Sequence, residues 1–259
     1  MGRIIAIANQ KGGVGKTTTA INLAASIALA GEDILIVDTD PQCNSTSGVG
    51  IDRKHTVKSI YDVYTGKYSI GETILATAFE HLFIVPGTID LLAVEIELVS
   101  KKRREWVLSD ALNSIRDKYK YIVIDCPPSL GLLTLNALAA SDSVIIPVQC
   151  EYYALEGLSM LTRTINLVQK SFNPALTIEG ILLTMYDVRN ALSAAVAAEV
   201  QKYFNKKVYT TVIPRNVTLA EAPGHGKPAL HYDVRSKGAQ TYLALAREVL
   251  NEKGIGQRP

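Results

Sequence analysis

The sequence has few cysteines, no long apolar run and little net charge, and each shortage excludes something. Its three cysteines, Cys43, Cys126 and Cys150, are odd in number, far apart and never arranged as C-x-x-C. Such spacing offers neither a disulfide framework nor a zinc knuckle and fits a reducing cytosol. The longest apolar runs, such as 34–37 and 144–146, are strand-length, far short of the ~20 residues needed to cross a bilayer. The apolar opening after Arg3 is too short for a signal-peptide core, and Ala6 breaks the myristoylation pattern that Gly2 begins. Export, a membrane span and a lipid anchor are therefore not expected. A net charge of +2 does not mark a nucleic-acid binder by composition. Its distribution is uneven, however: residues 187–259 hold 11 Lys/Arg against 6 Asp/Glu, and the first 186 hold 16 against 19.

What is present is the composition of a folded globular protein, 47% hydrophobic and 20% charged. A length of 259 residues fits one large α/β domain over 1–259. Short β-branched runs alternate with helical patterns, the sign of a parallel sheet covered on both faces. Strands are expected at 4–8, 34–38, 82–86, 121–125, 143–148, 178–185 and 208–213. Helices are expected at 17–30, with Gly31 as the stop, and at 57–64, 104–119, 132–140, 155–171, 191–204 and 239–251. The expected fold is a doubly wound, mostly parallel sheet of about seven to eight strands. No repeat, low-complexity segment or Pro/Ser-rich linker divides the chain. The run Lys101-Lys102-Arg103-Arg104 reads as a solvated helix start.

One segment carries chemistry on its face. Lys11-Gly12-Gly13-Val14-Gly15-Lys16-Thr17-Thr18 follows an apolar strand and opens a helix, the setting a phosphate-binding loop requires. Glycines let backbone N–H groups turn around an anion, Lys16 can reach β- and γ-phosphates, and the Thr17 hydroxyl can ligate Mg²⁺. The general pattern G-x-x-x-x-G-K-[ST] fails by one residue, because Gln10 stands where glycine is required. Two further strands end in carboxylates: 34–38 runs into Asp38-Thr39-Asp40-Pro41-Gln42, and 121–125 ends in Asp125-Cys126-Pro127-Pro128. In open α/β sheets ligands bind at that strand edge.

The string K-G-G-x-G-K-T-T resembles the deviant Walker A of the P-loop superfamily that includes ParA, MinD and the nitrogenase iron protein, whose extra lysine is here Lys11. Thr39 to Gln42, Pro127 to Leu130, Glu151 to Gly157 and Pro214 to Pro223 narrow the resemblance to the ParA/Soj family of DNA-partitioning ATPases, over nearly the whole chain. The resemblance implies slow hydrolysis of ATP with Mg²⁺ in an ATP-dependent sandwich homodimer. Thr17 is then the direct Mg²⁺ ligand, with Asp38 and Asp125 acting through its water shell. Asp40 orients the attacking water, Lys16 supplies charge from within, and Lys11 crosses to the partner copy's ATP. Pro214 and Asn216, in a Pro-Arg-Asn turn, are implied adenine contacts, and Glu151 is placed near the dimer interface.

The resemblance also implies non-specific double-stranded DNA binding through Lys and Arg, at Arg189 and also Arg215, Lys227, Arg235 and Lys237. A ParB-like protein stimulates hydrolysis through its N-terminal segment, in chromosome or plasmid segregation by a cytoplasmic, nucleoid-associated protein. Two positions depart from the family pattern: Cys43 where many relatives carry Gly, and Thr218 where several carry Arg. A MinD-like membrane-associated positioning ATPase is the alternative, but the tail 251–259 is short and Gly-rich where that reading needs a basic amphipathic helix. An iron–sulfur reductase would need interface cysteines, whereas Cys126 and Cys150 read as small core residues beside strand ends.

Overall fold

A computed structural model describes residues 1–151 and 154–251. In chain order the elements are β1 (Arg3–Ile7), α1 (Lys16–Ala28), β2 (Ile34–Asp38), α2 (Asn44–Gly48), α3 (Ile60–Thr65), α4 (Ile70–Thr73), β3 (Leu75–Ala76) and β4 (Leu82–Val85). They continue as α5 (Leu91–Glu97), α6 (Val107–Asn113), β5 (Tyr121–Asp125), α7 (Leu132–Ala140), β6 (Ser143–Gln149), α8 (Ala154–Ser171) and β7 (Thr177–Thr184). The chain finishes with α9 (Ala191–Phe204), α10 (Val217–Glu221), α11 (Ala229–Tyr232) and α12 (Lys237–Asn251). The seven strands lie in the order β3-β4-β2-β5-β1-β6-β7. All neighbours are parallel except the two-residue edge strand β3.

The central strands are apolar throughout because both faces are covered. Ile4 and Ala6 of β1, Leu35 and Val37 of β2, and Ile122 and Ile124 of β5 pack on one side, under α3, α5, α6, α7 and α8. Ile5 and Ile7, Ile34 and Ile36, and Tyr121 and Val123 alternate to the other side, under α1 and α12. The pairing of α1 with α12 includes a buried hydrogen bond between the Thr19 and Tyr242 hydroxyls at 3.0 Å. Helix α8 shows the expected amphipathic spacing, burying Ala154, Leu158, Leu161, Ile165 and Val168. Among the described residues no helix is long and apolar enough to cross a membrane. The tail 252–259 and Tyr152-Tyr153 lie outside the described residues.

Two expected elements differ. Segment 208–213 is not a strand, although it runs along β7: Tyr209 N–H donates to Ile181 O at 3.0 Å and Ile213 N–H to Leu183 O at 2.9 Å. Between them the Thr210 and Thr211 N–H groups turn away to the Glu248 carboxylate of α12, at 2.7 and 3.0 Å, which breaks the ladder. The helix expected over 104–119 is in three pieces, a 3₁₀ turn at Arg104–Trp106, then α6, then a 3₁₀ turn at Arg116–Lys118. Asn136 of α7 explains the first break. Its side-chain amide donates to Arg104 O at 2.9 Å, and its side-chain oxygen accepts from Leu108 N–H at 3.2 Å, so it intercepts both ends of an i to i+4 backbone bond.

Segment 208–213 docks closely because β7 carries Gly180, where an added Cβ would lie 2.4 Å from the Tyr209 ring. Gly180→Ala is therefore expected to push that ring aside at a cost of about 1–3 kcal/mol. A lower urea midpoint with an unchanged slope would register it, and an unchanged midpoint would contradict the docking.

Candidate active site

The loop from β1 to α1 wraps a cavity of ≈ 310 Å³ lined by Gly12, Gly13, Gly15, Lys16, Thr17, Thr18, Asp40, Gln42, Asn44, Pro128 and Met185. Gly13 and Gly15 take left-handed backbone, φ 73 and 89, which glycine adopts without strain. Val14 is buried and its carbonyl accepts from the Thr184 hydroxyl at 2.8 Å, tying the loop to β7. No side chain caps α1 at Gly15, so the first N–H groups of that helix remain available to an anion, with the helix dipole favouring one.

Lys16 is buried, and its ammonium donates to Lys11 O at 3.0 Å, bracing the loop from inside. Burial lowers its pKa, against the opposing pull of Asp125, Cys126 and Asp40. Lys11 behaves differently: it is absent from the lining of its own chain's cavity, and its Nζ donates to Glu151 Oε2 at 2.8 Å. The Gln149 amide holds the other Glu151 oxygen.

Asp38 and Asp125 end adjacent strands in direct register, both fully buried. Asp38 Oδ2 accepts from Thr46 N–H at 2.8 Å and from the Thr46 hydroxyl at 2.6 Å, and Thr46 Oγ1 in turn accepts from Gly87 N–H at 2.9 Å. Asp125 Oδ2 accepts from the Ser45 hydroxyl at 2.7 Å, while its Oδ1 is buried with no hydrogen-bond partner. Burial raises both carboxyls above the usual range. Thr46 opposes the shift at Asp38; at Asp125 the Asp38 charge adds to it, and Ser45 and Thr17 oppose it. Asp40 Oδ1 accepts from Gln42 N–H at 2.9 Å, and burial raises its pKa too, offset by that bond and by Lys16.

An orphaned carboxylate oxygen beside Thr17 suits Mg²⁺. Among the described residues no cluster of three or more His, Cys, Asp or Glu side chains could cage a metal. A second cavity of ≈ 190 Å³ adjoins the loop, sharing Gly15, Thr18 and Met185, with Ile213, Pro214, Arg215, Asn216 and Tyr242 in its wall. Asn216 Oδ1 there is buried and unpartnered, an acceptor fit for an exocyclic amine. Pro214 and Asn216 thus share a wall with the phosphate loop.

Arg189, Arg215, Lys227, Arg235 and Lys237 are all exposed. Arg189 is held by Asp187 through two bonds of 3.1 Å, and Arg215 is close enough to lower the Asp187 pKa. These two arginines come together at the end of β7. Thr218 is half-buried on α10. Cys126 and Cys150 pack in the core as free thiols, and burial raises the pKa of both. Sequence reasoning missed Ser45, Thr46 and Gly87: the segment Asn44–Gly48 has no apolar pattern and no motif, and its hydroxyls matter only because β2 and β5 are neighbours.

Raised carboxyls bind protons in the folded chain that the unfolded chain has already released. The stability of the nucleotide-free protein therefore falls as pH rises through and above the ordinary carboxylate range. Asp125→Asn removes one such charge. It is expected to raise the melting temperature more at about pH 8 than at about pH 5, and to abolish the further stabilisation given by Mg²⁺ with ATP. Equal melting shifts at the two pH values would contradict the assignment.

A family model described as an AAA domain matches residues 2–178. The sporulation initiation inhibitor protein Soj of Bacillus subtilis is 58% identical, over 96% of this chain and 98% of its own length. The chromosome partitioning protein ParA of Myxococcus xanthus is 56% identical, over 96% of this chain and 88% of its own. Among solved structures, that of cobyrinic acid a,c-diamide synthase from Mycobacterium smegmatis, with bound ATP analogue and magnesium, superposes with a TM-score of 0.87 at 35% identity, over 99% of this chain and 98% of that one. With such identity over nearly its whole length, and with the deviant phosphate loop formed at the head of α1, this chain belongs to the ParA/Soj family of chromosome-partitioning ATPases.

Proposed function

We propose that the protein is an ATP-switched partition ATPase: ATP and Mg²⁺ close two copies into a dimer, the dimer binds DNA without sequence preference, and hydrolysis stimulated by a ParB-like partner releases it. The observation that carries this reading is the division between the two lysines. Lys16 points into its own cavity, and Lys11 points out of it onto Glu151. A cation parked outside its own site can serve a neighbour's, and in the dimer Lys11 exchanges the Glu151 carboxylate for the partner copy's phosphates.

The loop N–H groups and Lys16 bind the β- and γ-phosphates, and the low-dielectric setting that lowers the Lys16 pKa strengthens its attraction to them. Thr17, Asp38 and Asp125 are the residues that would hold Mg²⁺, which would supply positive charge to the phosphates. Asp40 orients the attacking water, and Lys11 brings charge in trans where the transferring phosphoryl gains it. The cavity beside Pro214 and Asn216 takes the adenine, with Asn216 Oδ1 accepting from its amine.

DNA binding is assigned to Arg189 with Arg215, and further to Lys227, Arg235 and Lys237, through phosphate contacts that weaken with salt. In one copy Asp187 competes with DNA phosphate for Arg189. Pairing two such surfaces in the ATP dimer overcomes that competition and makes DNA affinity depend on nucleotide. The assigned location is the cytoplasm, on the nucleoid.

Asp40→Ala is expected to bind ATP, lose hydrolysis and stay on DNA in a mobility-shift assay under conditions where the unaltered protein lets go. An Asp40→Ala protein that ignores DNA in the presence of ATP would sink the switch. Arg189→Glu in the same assay is expected to lose retardation while keeping ATP turnover; retained retardation would remove Arg189 from the DNA surface.

A further inference from the structure

Asp40 begins a tight loop that leads into α2. Its carbonyl accepts from Cys43 N–H at 2.9 Å, and its Oδ1 accepts from Gln42 N–H at 2.9 Å, so the carboxylate is aimed by the backbone of the loop itself. The peptide from Gln42 to Cys43 is turned in an unusual direction. Cys43 has φ 55, a left-handed conformation that crowds a Cβ against the following carbonyl oxygen. A residue with a side chain keeps such a conformation only where its surroundings hold it there. Two contacts do so: the Cys43 thiol is directed to Pro41 O at 3.2 Å, and Arg53 Nη1 donates to Gln42 O at 2.8 Å.

The chain after α2 is shaped to present Arg53. Ile51 N–H donates to Thr46 O at 3.2 Å, which ties the segment to α2. The neighbouring Asp52 carboxylate is already engaged, accepting from Lys54 N–H at 2.9 Å and lying 2.7 Å from His55 Nδ1. Among the described residues Arg53 forms no ion pair. A guanidinium suits a carboxylate or a phosphate, yet this one is given to a single backbone carbonyl. It also lies close enough to the Cys43 thiol to oppose the rise that burial brings to its pKa. Arg53 thus meets both residues of the left-handed turn. It does so from outside: Gln42 lines the cavity of the glycine loop together with Asp40, whereas Arg53 lines only the larger cavity of ≈ 660 Å³ beside it. Its effect on the reaction therefore passes through the loop.

We propose that Arg53 is a positioning residue for Asp40: its hydrogen bond to Gln42 O holds the left-handed turn at Cys43, and that turn keeps Gln42 N–H on the Asp40 carboxylate. The proposal rests on the assignment of Asp40 to the attacking water. It also makes the two positions depend on each other. Glycine adopts φ 55 without strain, so a glycine at position 43 keeps the turn with or without the guanidinium. Arg53 is needed because position 43 carries a side chain.

The test is ATP hydrolysis by the full-length protein with Mg²⁺ and plasmid DNA, read as kcat and KM, for Arg53→Ala, Cys43→Gly, the double variant, Arg53→Lys and Asp40→Ala. Binding of a fluorescent non-hydrolysable ATP analogue is followed beside it. Arg53→Ala is expected to lower kcat about tenfold, because a displaced catalytic group loses its productive geometry. KM and analogue affinity should change by less than about twofold, since no contact to the nucleotide is removed. Cys43→Gly should turn over like the unaltered protein, and the double variant like Cys43→Gly. Arg53→Lys keeps a donor for Gln42 O and should stay within about threefold of the unaltered kcat. A double variant as slow as Arg53→Ala overturns the proposal. So does a loss confined to analogue affinity, which would make Arg53 a nucleotide ligand, or a lowered urea midpoint with kcat unchanged, which would leave it a structural role only. Should Cys43→Gly fail to fold, equal losses in Arg53→Lys and Arg53→Ala overturn the proposal instead. Full turnover in Asp40→Ala removes the Asp40 assignment and this proposal with it. An inactive Asp40→Ala beside an unimpaired Arg53→Ala leaves that assignment standing and overturns the role of Arg53 alone.

Discussion

Two carboxylates buried side by side at the end of a parallel sheet are the constraint around which this structure is arranged. Asp38 and Asp125 sit in register on β2 and β5, with no solvent to screen them. Burying such charge is costly unless it is paired and hydrogen-bonded. The short helix α2 answers part of that cost with the Ser45 and Thr46 hydroxyls, and Gly87 N–H completes the Thr46 link. At Gly87 an added Cβ would lie 3.0 Å from the Asp38 carboxyl carbon, so the backbone approaches as closely as it can. One Asp125 oxygen is still left unmet. In the proposed function, Mg²⁺ is the cation that offsets this cost.

Much of this was legible because it is local. The strands at 34–38 and 121–125 announce themselves as unbroken apolar runs, and their terminal aspartates follow directly. The phosphate loop is contiguous, so its task can be read residue by residue. What escaped reading depends on contacts distant in sequence. Segment 208–213 carries a strand's composition, yet Glu248 takes the N–H groups of Thr210 and Thr211. A single amide, Asn136, splits the helix expected over 104–119. Ser45 and Thr46 have no meaning until β2 and β5 are neighbours. The departure at Cys43 has a local account: its φ of 55 lies in the left-handed region, where glycine sits without strain. Cys43 holds that conformation with its thiol directed to Pro41 O at 3.2 Å.

Several cavities open among the loops at this edge of the sheet. The cavity at the head of α1 adjoins one that reaches Tyr242 of α12, and shares Gln42 and Asn44 with a larger one. Gln42 thus lines both the cavity of the glycine loop and the larger one beside it. Lys11 stands apart from these cavities, held on Glu151 by an ion pair that is more than one-third exposed on both sides. Such a pair contributes little to stability and is readily exchanged for a stronger anion.

The central claim is that this exchange takes place between two copies of the chain. Light scattering of the protein with Mg²⁺ and a non-hydrolysable ATP analogue, beside Lys11→Ala under the same conditions, tests it most directly. The account predicts a doubled mass for the unaltered protein, and for Lys11→Ala a single-copy mass with the analogue still bound. A doubled mass in Lys11→Ala, or a single copy in the unaltered protein, would contradict it.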